Sequence, residues 1–141
     1  MADSFETRMN GLFYGMVGWH HLEALWGKVR QSPEGWYVSM VGEAPGESPL
    51  AGEALEVFIA EMDALLRRDH DYDYCGIVYA DDPAAPTFIK IYDPNHLGSA
   101  CGSSGGRILP RWLLTRIKPE KVAHPAPLPA ARQRWWQALF G

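Results

Sequence analysis

The residues best suited to chemistry lie in a glycine- and serine-rich loop at residues 93–107, which contains Cys101 and, five positions earlier, His96. Small residues leave the backbone around a cysteine free to adopt positive φ and to turn several N–H groups toward one point. N–H groups that converge in this way stabilise an anion and lower the pKa of a thiol, and a nearby histidine supplies a base. The loop therefore predicts a thiol-dependent enzyme or redox sensor in which Cys101 is the nucleophile and His96 the base.

Other kinds of site fit this loop less well. A phosphate-binding loop needs a Gly-x-x-x-x-Gly-Lys-Ser/Thr pattern that opens a helix, whereas this loop leads through Arg107 into a strand. A zinc site would have to be assembled by the fold alone, because no Cys-x-x-Cys or His-x-x-x-His spacing is present. Its donors would be Cys75, Cys101, His96 and His70. We predict no metal and no cofactor, and the alternative to a reactive Cys101 is an ordinary thiol in a connecting loop.

The net charge of −4 hides an uneven distribution of charge along the chain. Residues 1–106 contain six Lys or Arg and sixteen Asp or Glu, a balance of −10, whereas residues 107–141 contain seven basic residues and one acid, a balance of +6. A basic segment of this kind offers a cationic face to an acidic partner. The alternative is that the segment lies against the acidic body of the same chain and the charges cancel.

The C-terminal segment combines its positive charge with aromatic side chains. Three prolines at alternating positions, Pro125, Pro127 and Pro129, favour an extended spacer ahead of the arginines and tryptophans. A terminal segment of this type docks on a partner or folds back over its own sheet. We predict docking on a protein, because the acidic body would repel the phosphates of a nucleic acid. The predicted partner-binding residues are Arg107, Arg111, Arg132, Arg134, Trp135, Trp136 and Phe140.

Two amphipathic helices and four strands must position these residues. Apolar side chains recur at helical spacing over residues 18–31 and again over 49–68, where Ser48 followed by Pro49 is a favourable helix start. Short runs rich in aromatic and β-branched residues predict strands at 36–41, 75–80, 87–92 and 111–117.

The two middle strands form a predicted hairpin. We place Ala80 opposite Thr87, so that Val78 faces Ile89 on the apolar side, on which the helix at 49–68 packs. The order of elements does not alternate strictly between strand and helix, as it would in a parallel α/β sheet. It predicts an α+β fold, with a small antiparallel sheet of about four strands, two main helices on one face and a proline-rich C-terminal tail.

Length and composition indicate one domain, with residues 1–121 forming the α+β body and residues 122–141 the tail. No apolar run approaches the roughly 20 residues that cross a bilayer. The acidic N-terminus and the two cysteines, which lack a Cys-x-x-Cys spacing, fit the cytoplasm. The favoured function is therefore a non-enzymatic cytoplasmic protein that binds a protein partner, and thiol chemistry at Cys101 is the alternative.

Overall fold

The computed structural model describes residues 4–96, 109–124 and 127–140, so that Cys101 and Arg107 lie outside the described residues. The helices are α1 (Phe5–Met9), α2 (Trp19–Gln31), α3 (Gly52–Asp69) and α4 (Ala130–Phe140). The strands are β1 (Tyr14–Gly15), β2 (Tyr37–Met40), β3 (Val78–Ala80), β4 (Phe88–Ile91) and β5 (Trp112–Thr115), and a 3-10 turn covers Pro94–His96.

The described strands form one antiparallel sheet of five strands in the order β1-β3-β4-β5-β2. Helices and an antiparallel sheet together confirm the predicted α+β class. The additional strand is β1, a short edge strand in a segment where Gly11, Gly15 and Gly18 interrupt the spacing of the apolar residues. The helical spacing over residues 18–31 corresponds to α2, whereas no element is predicted from the sequence for the residues of α1 or β1.

The β3–β4 hairpin is antiparallel as predicted, but its register differs by two residues. Ala80 pairs with Ile89 rather than with Thr87, and Val78 pairs with Ile91. Asp81 explains the wider turn, because its carboxylate accepts the backbone N–H groups of Thr87 and Phe88 at 2.9 and 3.1 Å. A shift of two leaves every side chain on its predicted face, since the side-chain period of a strand is two.

The main core lies between one face of the sheet and helices α2 and α3. Helix α3 buries a stripe at spacings of three and four residues, as the sequence predicts, and Phe58 at its centre is completely buried. That stripe joins one cluster with Ile89 of β4, Leu114 of β5 and Leu25 of α2. Full burial of a side chain of this size contributes about 1.5–3 kcal/mol, so this face accounts for much of the stability of the domain.

Helix α3 begins three residues later than Ser48 and Pro49 suggest. Its N-cap is Ala51, which makes no side-chain capping hydrogen bond. The Leu50 N–H instead donates to the Trp36 carbonyl at 2.8 Å. This bond joins Leu50 to the residue that precedes β2. Tertiary pairing therefore overrides the local capping signal at Ser48.

The opposite face of the sheet carries a smaller core. Helix α1 covers it with Phe5, whose ring lies 5.4 Å from that of Phe88, and Leu113 of β5 belongs to the same cluster. The Phe13 ring meets Phe88 edge-on at 5.5 Å, and the Lys90 ammonium group lies 3.9 Å from the centre of the Phe13 ring. Helix α1 and Phe13 therefore pack against this face of the sheet.

Candidate functional site

The predicted thiol site cannot be assembled from the described part of the chain. Cys101 lies outside it, and His96 ends the 3-10 turn that leads toward the loop. The described cysteine, Cys75, is completely buried, and this burial raises the pKa of its thiol, which disfavours the reactive thiolate. Within residues 4–96, 109–124 and 127–140 no three His, Cys, Asp or Glu side chains are grouped to hold a metal ion. The roles proposed for Cys101 and His96 stay predictions.

Arg132, one of the predicted partner-binding residues, is buried, with 5% of its surface exposed. Its guanidinium donates two hydrogen bonds to the buried Asp93 carboxylate, at 3.0 and 2.9 Å, and a third to Asp69 at 2.8 Å. Burial by itself would lower the pKa of Arg132, but the hydrogen bonds with Asp93 and Asp69 outweigh it and raise that pKa. Arg132 therefore links α4 to Asp93, just before the 3-10 turn, and to Asp69 at the end of α3.

Several other cations of the basic segment also face inward or pair with the acidic body. Arg111 is buried and donates to the Val41 carbonyl at 3.2 Å. Arg116 donates to the Glu34 carbonyl at 2.8 Å and lies 4.6 Å from the centre of the Trp36 ring. Lys118 forms an exposed ion pair with Glu47 at 2.8 Å. Arg132 and Lys118 are therefore paired with carboxylates of the domain, whereas Arg111 and Arg116 are held by backbone carbonyls.

The aromatic residues of α4 lie against the same core. Trp135 and Trp136 are partly buried and, like Leu139, pack on the main cluster, where the Trp135 ring lies 5.6 Å from that of Trp112. Arg134 is exposed, and Phe140 keeps 37% of its surface exposed. In the described residues the tail thus folds back on its own domain, and partner binding by Arg134, Trp136 or Phe140 stays a prediction.

The largest gathering of exposed apolar side chains is elsewhere, along the edge of the sheet at β1. Seven large hydrophobic side chains are exposed among the described residues, and five of them flank this edge. We call these five the edge patch: Leu12, Tyr14, Val17, Tyr72 and Tyr74. Leu12 and Val17 are 73% and 65% exposed.

Backbone hydrogen bonds hold the two halves of the edge patch together. The Cys75 N–H donates to the Val17 carbonyl at 2.8 Å, which places the tyrosine segment beside the end of β1. The rings of Tyr72 and Tyr74 stack 5.5 Å apart, and the buried His70 packs against both rings. These contacts hold Tyr72 and Tyr74 beside Val17, next to the strand that contains Tyr14.

The sequence contained a signal for this edge that periodicity did not reveal. Phe13-Tyr14 and Met16-Val17 are aromatic, apolar and β-branched pairs enclosed by Gly11, Gly15 and Gly18, which is the composition of a short strand between turns. Gly15 fits here because an added Cβ would lie 3.1 Å from the Tyr79 ring on the neighbouring strand.

No family model, curated protein or solved structure matches this chain. None of the helices in the described ranges is both long and apolar enough to cross a membrane. The function is accordingly inferred from the exposed surface itself.

Proposed function

We propose that this chain is a non-enzymatic cytoplasmic protein that acts by binding a protein partner, and that the edge patch is the contact surface. The observation that carries the proposal is that five of the seven large hydrophobic side chains exposed in the described part of the chain lie along one sheet edge. Isolated exposed apolar residues are ordinary, but a contiguous group of them is typical of an interaction site. Tyrosine, which supplies three of the five, is enriched at protein interfaces.

The surroundings of the edge patch favour a protein over a nucleic acid. Asp71 and Asp73 alternate with the two exposed tyrosines Tyr72 and Tyr74, and both carboxylates are exposed. Stacking of bases on tyrosine is normally accompanied by cations that attract the phosphate backbone. Carboxylates at this position would instead repel phosphates, while they do not hinder the burial of a partner's apolar side chains.

The proposal moves the contact surface away from the basic C-terminal segment. The electrostatic case for that segment depended on free cations, and Arg132 and Arg111 are buried. Helix α4 still borders an apolar hollow of about 380 Å³ with the first turns of α3, beside Val57 and Phe140. Since only these two large side chains are exposed there, we take that hollow as the comparison surface rather than as the main site.

The test is a pair of matched substitutions, Val17→Asp in the edge patch and Val57→Asp on α3. Val17 is 65% exposed and Val57 48% exposed, so that neither change should disturb the core. Wild type and both variants would be immobilised and used to capture proteins from a lysate of the source organism, with mass spectrometry as the readout. We expect wild type and Val57→Asp to retain the same partner and Val17→Asp to lose it.

A partner that survives Val17→Asp and is lost with Val57→Asp would assign binding to the hollow beside α4 and overturn the proposed surface. Sedimentation velocity of the purified protein provides a second arm. A dimer that Val17→Asp dissociates would make the edge patch an interface between two copies of this chain, and would overturn the proposal of a different protein as partner.

A further inference from the structure

The edge patch continues into an apolar hollow between β1, α2 and the turn after β3. Its volume is about 360 Å³ and its lining includes Met16, Val17, Ala24, Leu25 and Pro83. Leu25 and Met16 are themselves buried, so they form the floor, whereas Ala24 and Val17 are exposed at its rim. A hollow of this size and lining accepts an aliphatic or aromatic side chain from a partner.

A second hollow of about 270 Å³ follows along α2 and is more polar. Lys28 borders both hollows, and Arg116 and Ser32 line the far end of the second. Together they extend along α2 from His21 to Ser32, which corresponds to about 16 Å at 1.5 Å per helical residue. An extended chain covers that length with about five residues.

The charge of this groove is opposite to that of the protein as a whole. Among the described residues no Asp or Glu lines either hollow, whereas Lys28 and Arg116 both contribute to the lining. The chain carries a net charge of −4. Lys28 is exposed and makes no ion pair with any residue that the structure describes. The groove therefore offers one apolar subsite followed by one cationic subsite.

We infer that the groove binds an extended segment of the protein partner, about five residues long, in which an apolar side chain fills the hollow beside Ala24 and an acidic side chain two to four residues away pairs with Lys28. This inference rests on the proposed function, because it names the part of the partner that the edge region recognises. The spacing follows from the geometry of α2. Ala24 and Lys28 are one helical turn apart, about 6 Å, which an extended chain spans with two residues.

Selection from a phage-displayed library of random heptapeptides on the immobilised protein tests this inference. We expect the enriched peptides to share an aliphatic or aromatic residue with Asp or Glu two to four positions away. Repeating the selection on Lys28→Glu should replace the acidic position by Lys or Arg while retaining the apolar one. For a synthetic peptide from the wild-type selection, Lys28→Glu should weaken the Kd about tenfold, since a charge-assisted contact becomes a repulsion.

Two further variants separate the subsites. Ala24→Phe would fill the apolar hollow from its rim and should abolish binding of the selected peptide. Ala64→Phe and Lys121→Glu are matched controls, because Ala64 and Lys121 are exposed and line neither hollow. Both controls should bind the selected peptide as wild type does.

Selected peptides without a preferred acid, or an acidic preference that persists in Lys28→Glu, would overturn the inference. So would binding of the selected peptide that is unaffected by Ala24→Phe. These failures are distinguishable from failure of the proposed function. A protein partner that is still captured in a Val17-dependent manner, with no peptide enriched, would leave the edge patch as the contact surface and remove the extended segment as its ligand.

Discussion

Helix α4 and the segment around β1 are both peripheral, but they use their side chains in opposite ways. Helix α4 directs Arg132 and Trp135 toward its own domain, into an ion pair with Asp93 and a ring contact with Trp112. The segment around β1 leaves Leu12 and Val17 exposed. Arginine and tryptophan in a terminal segment therefore do not by themselves indicate a binding surface. Both residue types also pack such a segment on its own domain.

The largest effect on stability should come from removing α4. This deletion measures how much the packing of the C-terminal segment contributes to the core. A chain ending at residue 129 should lose about 3 kcal/mol, since partly buried Trp135, Trp136 and Leu139 each contribute about 1 kcal/mol at half of full burial. The melting temperature should fall by roughly 10 °C for a domain of this length. Differential scanning calorimetry gives both values. An unchanged melting temperature would contradict the packing of α4.

The second prediction concerns the ion pair that holds α4. Arg132→Ala should cost about 2–3 kcal/mol, because it leaves Asp93 buried without its partner. The cost has an upper limit, since α4 can leave the surface and let water reach Asp93. The loss of unfolding free energy in Arg132→Ala should therefore not exceed the loss in the chain that ends at residue 129. Urea denaturation of these two variants measures both losses. Arg134→Ala, at an exposed position of the same helix, is the control and should change the stability by less than about 0.5 kcal/mol.

The third prediction concerns Asp81, which fixes the turn after β3 beside the edge region. Burial would raise the pKa of Asp81, but hydrogen bonds from the Thr87 side chain and from the N–H groups of Thr87, Phe88 and Asp82 outweigh it and lower that pKa. A lowered pKa in the folded state means that the carboxylate stabilises the fold above its unfolded pKa of about 3.9, and that this contribution disappears as the pH falls through the folded value.

Asp81→Asn should accordingly cost about 1–2 kcal/mol at pH 7, and the difference from wild type should shrink below about pH 4. Urea denaturation between pH 2 and 7 measures this dependence. Asp71→Asn provides the control, since that carboxylate is exposed. A difference between Asp81→Asn and wild type that is constant down to pH 2 would show that the loss is steric rather than electrostatic.

The fold was more predictable than the surface, for physical reasons that particular residues illustrate. The stripe of α3 around Phe58 repeats with the period of the helix, so that local sequence reports which side is buried. The run of apolar residues in β4 predicts a strand, although Phe88 and Ile89 are buried in the two different cores. The pairing of Arg132 with Asp93 joins residues 39 positions apart and leaves no local pattern.

The register of the hairpin and the start of α3 were missed for a related reason. Asp81 widens the turn through bonds to Thr87 and Phe88, and Leu50 is held by the Trp36 carbonyl 14 positions earlier. The hairpin register and the helix start each depend on specific hydrogen bonds that compete with an acceptable local alternative. The edge patch was missed because two glycine-separated pairs of residues are too short to show a period at all.

The smallest effect on stability should come from Val17→Asp, and it completes the comparison between the two regions. The Val17 side chain is 65% exposed, and its carbonyl accepts the Cys75 N–H through the backbone, which the substitution leaves in place. The free energy of unfolding should therefore change by less than about 0.5 kcal/mol, while capture of the partner is lost. Arg132→Ala should behave in the opposite way, with reduced stability in urea and unchanged capture at a temperature where it remains folded. If Val17→Asp unfolds as early as Arg132→Ala, loss of capture would reflect loss of structure, and the edge patch would be part of the core rather than a surface for a partner.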